Sequence, residues 1–186
     1  MNWELFWFVV IGGFNVILSY AWYALSSSSA FSLAALQGPF TGLAFDLWTI
    51  SAVLTIFSYC YLTILFIGEE DVGIEPLTQT QKSVIYTTYT LFLGSASQYT
   101  YLATIDLFNR KKSRFLQFNL YLVAIGSVGF VWTVLLAEKV EPLMLVTSIY
   151  LVFHHLVLDA YFWYNAFDPK NVYGSIDLNN SDRPEL

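Results

Sequence analysis

The stretch LMLVTSIYLVFHHLVLDAYFWYNAF, residues 143–167, is apolar along most of its length and carries a single acidic residue, Asp159. At 1.5 Å per residue, an α-helix of this length extends over roughly 37 Å, more than the roughly 30 Å of a bilayer's hydrocarbon core. The stretch therefore predicts a membrane-spanning helix. It also contains both histidines of the chain, His154 and His155.

Four earlier stretches have similar length and character, at 3–25, 45–67, 83–105 and 115–137. These runs are continuous rather than alternating, and they are too few to close a β-barrel, so we expect helices and not strands. The predicted fold class is all-α, a polytopic integral membrane bundle of about five transmembrane helices within residues 1–168. A flexible cytoplasmic tail is predicted at 169–186.

The composition indicates which partners the surface faces. Charged residues make up 12% of the chain and hydrophobic residues 56%, whereas a soluble domain carries about 25% charged residues. We therefore expect the lipid bilayer of the plasma membrane or of an internal membrane as the main partner. The net charge of −6 argues against nucleic acid. Other membrane subunits, or a second copy of the chain, stay open as partners.

The basic residues predict the orientation in the membrane. With the loop at 110–114 in the cytoplasm, two basic residues, Lys82 and Lys139, fall on the outer side. Those on the cytoplasmic side are Arg110, Lys111, Lys112, Arg114, Lys170 and Arg183. Since cytoplasmic loops carry an excess of Lys and Arg, the N-terminus is predicted outside and the C-terminus inside.

The ionisable residues of the last stretch are the first functional candidates. Such residues are costly inside a membrane and tend to face a bundle interior or a cavity. In an α-helix, His155 and Asp159 are four residues apart and share a face, while His154 points about 100° away. The pair favours a proton-linked or ion-linked role, a substrate-binding or catalytic role, or a purely structural contact between helices. A metal needs three or four ligands and this pair supplies two, so no metal and no other cofactor is predicted.

Further polar residues fall near the same membrane face in the predicted topology. Asp46 begins the second stretch, Asp106 follows the third, and Asn119 lies early in the fourth. If these side chains face inward, they form a polar pocket with the last stretch that opens to the cytoplasm. The alternative is that Asp46 caps its helix and Asp106 pairs with Arg110. The candidate binding or proton-linked residues are His154, His155, Asp159, Asp46, Asp106 and Asn119.

Small residues predict where helices approach one another closely. The third stretch, 83–105, is the most polar and contains Gly94, so it is expected to lie centrally, away from lipid. Gly126 and Gly129 in the fourth stretch and Gly12 and Gly13 in the first predict further close contacts.

Three interpretations of function remain open. The first is a small multi-pass membrane protein that moves or senses a proton, cation or small solute through a polar intramembrane site. The second is a membrane-embedded enzyme that acts on a lipid or sterol-like substrate, which predicts a cavity open sideways to lipid near His155. The third is an accessory or scaffold subunit of a membrane complex, which predicts no internal cavity. No sequence motif assigns a catalytic residue, so enzymatic activity is not the leading expectation.

Overall fold

The computed structural model describes residues 2–26, 43–68, 78–109, 111–137 and 140–166. Within these ranges every element of regular secondary structure is a helix, as predicted from the sequence. The helices are α1 (Trp3–Ser26), α2 (Leu43–Ile67), α3 (Gln79–Phe108), α4 (Arg114–Leu135) and α5 (Pro142–Val152). α5 continues without interruption into a π-helical segment (Phe153–Trp163) and a final α-helical turn (Tyr164–Ala166); together these form the fifth helix. The predicted tail at 169–186 lies outside the described residues.

Four helices of the described chain are long and apolar enough to cross a membrane. These candidate spans are Trp3–Trp22, Asp46–Ile67, Arg114–Leu135 and Pro142–Trp163. They coincide closely with four of the five predicted stretches and indicate a membrane protein. The remaining helix, α3, is 30 residues long, but its many Thr, Ser and Tyr side chains make it less apolar than the others.

The packing of the helices explains how α3 accommodates its polar residues. α3 packs most extensively along α4 and also along α1, while the fifth helix packs against α4 and α2. Thr88, Ser95 and Thr100 of α3 are buried within the protein, so they avoid contact with lipid. Thr90 and Gln98 of the same helix are exposed, so the prediction that α3 lies away from lipid is confirmed for only part of its surface. α1 and α2 touch each other only slightly.

An aromatic cluster forms the centre of the core, around the fully buried Phe130 of α4. The rings of Tyr89, Phe92 and Tyr59 meet Phe130 edge-on, with centroids 5.1, 5.5 and 6.0 Å away. Lipid tails are as apolar as these rings, so close packing rather than the hydrophobic effect holds such helices together in a membrane.

Glycines of α4 and α1 mark the closest helix contacts. A Cβ added to Gly126 would lie 2.8 Å from the backbone nitrogen of Phe92, and one added to Gly12 would lie 2.6 Å from Leu93 Cδ1. Gly129 faces the side chain of Thr88 equally closely. The predicted contact points at these three glycines are therefore confirmed. Gly13 and Gly94 differ, because the space beside each of them is open.

Candidate functional site

The π-helical segment Phe153–Trp163 carries the histidines and the buried aspartate. Its hydrogen bonds join residues five apart, as in the bond from the Tyr164 N–H to the Asp159 carbonyl at its end. Most π-helices are single-turn interruptions of α-helices, and they occur often at functional sites. The wider turn brings residues five apart, in addition to those four apart, onto one face.

The change of helix type corrects one sequence-based prediction. Asp159 pairs with His154, whose Nε2 lies 3.5 Å from Asp159 Oδ2, and not with His155 as α-helical spacing predicts. The reason is geometric: His154 and Asp159 are five residues apart, which is the repeat of the π-helical hydrogen bonds.

His154 also connects the fifth helix to α2. Its Nδ1 lies 2.9 Å from Ser51 Oγ, and that hydroxyl lies 2.7 Å from Tyr150 Oη. Trp48, one turn earlier in α2, donates from Nε1 to Asp159 Oδ1 over 3.1 Å. α2 therefore contributes polar contacts to both members of the His154–Asp159 pair.

His155 faces α4 and α3 instead. Its Nδ1 lies 2.8 Å from the Leu151 carbonyl oxygen and 3.0 Å from Ser127 Oγ. A carbonyl only accepts, so Nδ1 carries the proton, and in the neutral ring Nε2 keeps its lone pair. The ring also meets Phe92 edge-on, with centroids 5.0 Å apart. The orientation of the imidazole is thus fixed by three different helices.

The three ionisable side chains converge on one point. One ligand atom from each of His154, His155 and Asp159 lies within 4.8 Å of the other two. Because both Nδ1 atoms already have hydrogen-bond partners, the Nε2 atoms are the ones left to bind a ligand. We call these three residues the His–Asp cluster. The sequence-based count of two possible metal ligands is corrected to three, since His154 joins the other two.

A cavity of about 400 Å³ lies beside the His–Asp cluster, and all three of its residues line the wall. Every helix contributes to this cavity, including Tyr20 of α1, Trp48 of α2, Tyr99 of α3 and Leu120 of α4. Its volume is within the range of small-molecule sites, which are mostly apolar with a few placed polar groups. Ile56 of α2 also lines it and is 61% exposed. The cavity therefore reaches the outer surface of the bundle beside α2.

The other candidate residues do not line this cavity. Asp46 is exposed on α2. Asn119 is buried in α4, and its Oδ1 has no hydrogen-bond partner. Of the six candidate residues, only the three of the His–Asp cluster line this cavity. The prediction that Asp46, Asp106 and Asn119 share a pocket with them is therefore wrong for this cavity.

Asp106 has a structural position at the turn between α3 and α4. Its Oδ2 accepts from the Ser113 backbone N–H over 2.7 Å, and Ser113 Oγ caps α4 by accepting from the Leu116 N–H over 3.2 Å. Arg110, the alternative partner predicted for Asp106, lies outside the described residues. Nearby, the Lys112 ammonium sits 4.0 Å above the Tyr164 ring, which fastens the end of the fifth helix to this turn.

Three residues of the site were missed by the sequence analysis, namely Trp48, Ser51 and Ser127. Each is a polar or amphipathic side chain inside an apolar stretch, which is a weak signal shared by many residues of this chain. Their role becomes visible only through the contacts with the His–Asp cluster.

The arrangement offers two imidazoles, a carboxylate and an indole N–H to one cavity. Such groups can bind a cation, accept hydrogen bonds from a solute, or exchange protons.

Comparison with protein-family models, curated proteins and solved structures found no match to this chain.

Proposed function

We propose that this multi-pass membrane protein binds a small solute in the cavity beside the His–Asp cluster, and that it moves or senses that solute. The observation that carries the proposal is a cavity of about 400 Å³ whose wall contains all three residues of the cluster. Ionisable groups inside a membrane mark pathways and binding sites because their burial is otherwise too costly to retain.

The wall of the cavity indicates the kind of solute. Tyr20, Tyr99 and Leu120 offer large apolar surfaces, while Asp159 and the Nε2 of His155 offer acceptors. A cation, or a small molecule with an apolar body and a donor group, would satisfy both kinds of surface.

The depth of the cavity suggests how the solute enters. The lining residues lie five to thirteen residues from the same end of the bundle, from Trp48 to Ile56 in α2, which is roughly 8 to 20 Å along the helices. The distribution of basic residues predicts that this end faces the cytoplasm. We therefore infer entry from the cytoplasmic side.

Cysteine accessibility in proteoliposomes tests this proposal. Cys60 is exposed and is first replaced, giving Cys60→Ser. In that background, Ala52→Cys places a thiol in the cavity wall, while Val53→Cys places one on the lipid-facing surface at nearly the same depth. A thiol reacts as its thiolate, which requires water nearby. We expect a cationic methanethiosulfonate reagent to modify position 52 much faster than position 53.

The charge of the cluster provides a second readout. Because Asp159 favours cations, position 52 should react about tenfold faster with a cationic than with an anionic reagent, and Asp159→Asn should remove the preference. Equal, slow modification at positions 52 and 53 would argue against a solute-accessible cavity.

A membrane-embedded enzyme is the second candidate, and one observation favours it. His155 lines a cavity that also includes the surface-exposed Ile56, so a lipid could approach from the side. His155 would then act as acid or base. Proteoliposomes of defined phospholipid and sterol, examined by mass spectrometry, would show a product that His155→Ala fails to form.

The accessory-subunit interpretation predicts no internal cavity, so the cavity supports the first two candidates over it.

A further inference from the structure

We propose that His154, His155 and Asp159 together bind one divalent transition-metal ion, such as Zn²⁺ or Fe²⁺, in the wall of the cavity. This inference deepens the proposed function, because the bound ion would be the group that contacts the solute. The role of the metal therefore rests on the proposed function. Whether the ion binds can nevertheless be measured separately from solute access.

The spacing of the ligand atoms supports a metal site. Ligand bonds to Zn²⁺ from His and Asp are about 2.0 to 2.2 Å, so two ligands of a tetrahedral ion are about 3.4 Å apart. His154 Nε2 and Asp159 Oδ2 are 3.5 Å apart. The third ligand atom lies within 4.8 Å of both, so a side-chain movement of at most about 1.4 Å would bring it to the tetrahedral spacing.

The contacts around the cluster are those expected behind metal ligands. Metal-binding histidines commonly use their second ring nitrogen to bond a backbone carbonyl, a carboxylate or water, which fixes the orientation of the ring. His155 Nδ1 bonds the Leu151 carbonyl and Ser127 Oγ, and His154 Nδ1 bonds Ser51 Oγ. Both rings are thus held by one nitrogen, which leaves the other nitrogen of each ring to bind an ion. The far oxygen of Asp159 is held in the same way by Trp48.

The ligand types select the class of ion. Two imidazoles and one carboxylate suit zinc, iron and similar first-row ions, whereas Ca²⁺ and Mg²⁺ prefer oxygen ligands alone. Three protein ligands leave at least one coordination position open. Because the cluster lines a cavity of about 400 Å³, water or a solute has room to occupy that position.

The π-helical segment is what makes three ligands from one helix possible. Its hydrogen bonds join residues five apart, so His154 and Asp159 share a face while the adjacent His155 reaches the same point from the side. Functional sites are a frequent location for such segments.

Metal binding by the purified full-length protein tests the inference. The protein is prepared in detergent with an affinity tag that contains no histidine, stripped with EDTA and titrated with Co²⁺, a visible-absorbing substitute for zinc. We expect one Co²⁺ per chain with d–d absorption bands, and displacement of these bands by Zn²⁺. His155→Ala and Asp159→Asn should each lower Co²⁺ affinity by more than about tenfold, since even contacts behind the ligands contribute 10-fold to 100-fold.

Ser127→Ala provides a test that keeps all three ligands. It removes a contact behind His155 and should lower Co²⁺ affinity about tenfold while preserving the fold. The matched control is Ser148→Ala, since Ser148 is also fully buried but bonds only the Leu145 carbonyl of its own helix. This control should bind Co²⁺ like the unmodified chain. Should His155→Ala fail to fold, Ser127→Ala decides the question.

The outcomes separate the two proposals. A folded protein that shows no Co²⁺ bands, or a His155→Ala variant that binds Co²⁺ unchanged, overturns the metal site. If position 52 is still modified rapidly in that case, the solute-binding proposal stands without a metal. Conversely, one Co²⁺ per chain with position 52 inaccessible supports the metal site and overturns the solute-binding proposal.

Discussion

His154 Nε2 lies 3.5 Å from Asp159 Oδ2, five residues further along the same helix. The pairing follows from the π-helical segment, whose wide turns replace the four-residue spacing of an α-helix. It places a carboxylate between Trp48 and His154, and it leaves His155 to contact α4 through Ser127. The local widening of one helix thereby gathers all three ionisable groups at one cavity.

Replacement of His154 by Phe tests the energetic role of this pairing. His154→Phe keeps a ring of similar size but loses the contacts with Ser51 and Asp159. Interhelical hydrogen bonds in membrane proteins contribute about 0.6 kcal/mol on average and up to about 1.7 kcal/mol, so we expect a loss of roughly 1 to 2 kcal/mol. Thermal unfolding in detergent measures it. If the variant is as stable as the original chain, the contacts of His154 do not contribute to the stability of the fold.

The contact between α3 and α4 at Gly126 should tolerate no side chain. A Cβ there would meet backbone atoms of Phe92 at 2.8 and 2.9 Å, and backbone cannot move aside as a side chain can. Gly126→Ala should therefore cost about 1 to 3 kcal/mol, as overpacked cores do. Gly94→Ala is the control, because nothing lies within 4 Å of its added Cβ. Equal melting temperatures for the two variants would contradict this account of the contact.

The aromatic cluster predicts a large difference between two phenylalanines of α4. Phe130 is 0% exposed and Phe118 is 62% exposed. Phe130→Ala leaves a void among Tyr59, Tyr89 and Phe92 and should cost about 3 to 5 kcal/mol. Phe118→Ala exchanges one lipid-facing apolar group for another and should change the unfolding free energy little. Denaturant titration in detergent measures the unfolding free energy of both variants. Comparable losses of unfolding free energy would show that Phe130 is not at the centre of the core.

The topology of α3 is tested by labelling its two ends. Thr78 and Asn109 flank this helix and both are exposed. In the Cys60→Ser background, Asn109→Cys should react with an impermeant maleimide only from the cytoplasmic side, and Thr78→Cys only from the outside. Val140→Cys, two residues before α5, serves as a reference for the side predicted to be outside. Labelling of positions 78 and 109 from the same side would show that α3 does not cross the membrane.

Much of the fold could be predicted because it depends on local composition. Runs of about twenty apolar residues in the hydrocarbon core of a membrane have to form their backbone hydrogen bonds within the protein. A helix forms them within one segment, so it can be predicted from that segment alone. The close contacts at Gly12, Gly126 and Gly129 could likewise be predicted, because a residue without a side chain lets another helix approach and is visible in the sequence. The prediction was wrong at Gly13 and Gly94, because the position of a glycine in the sequence does not reveal which face of its helix meets a neighbour.

The sequence by itself determined that long apolar helices form and that His154, His155 and Asp159 lie within one of them. Tertiary structure decided which of these groups meet. The hydrogen-bond spacing of the fifth helix pairs Asp159 with His154, and residues distant in sequence, Ser51 and Ser127, orient the two rings. The physical reason is that helix formation depends on the solvent and the backbone of one segment, whereas a site depends on the directions of side chains from several segments at once.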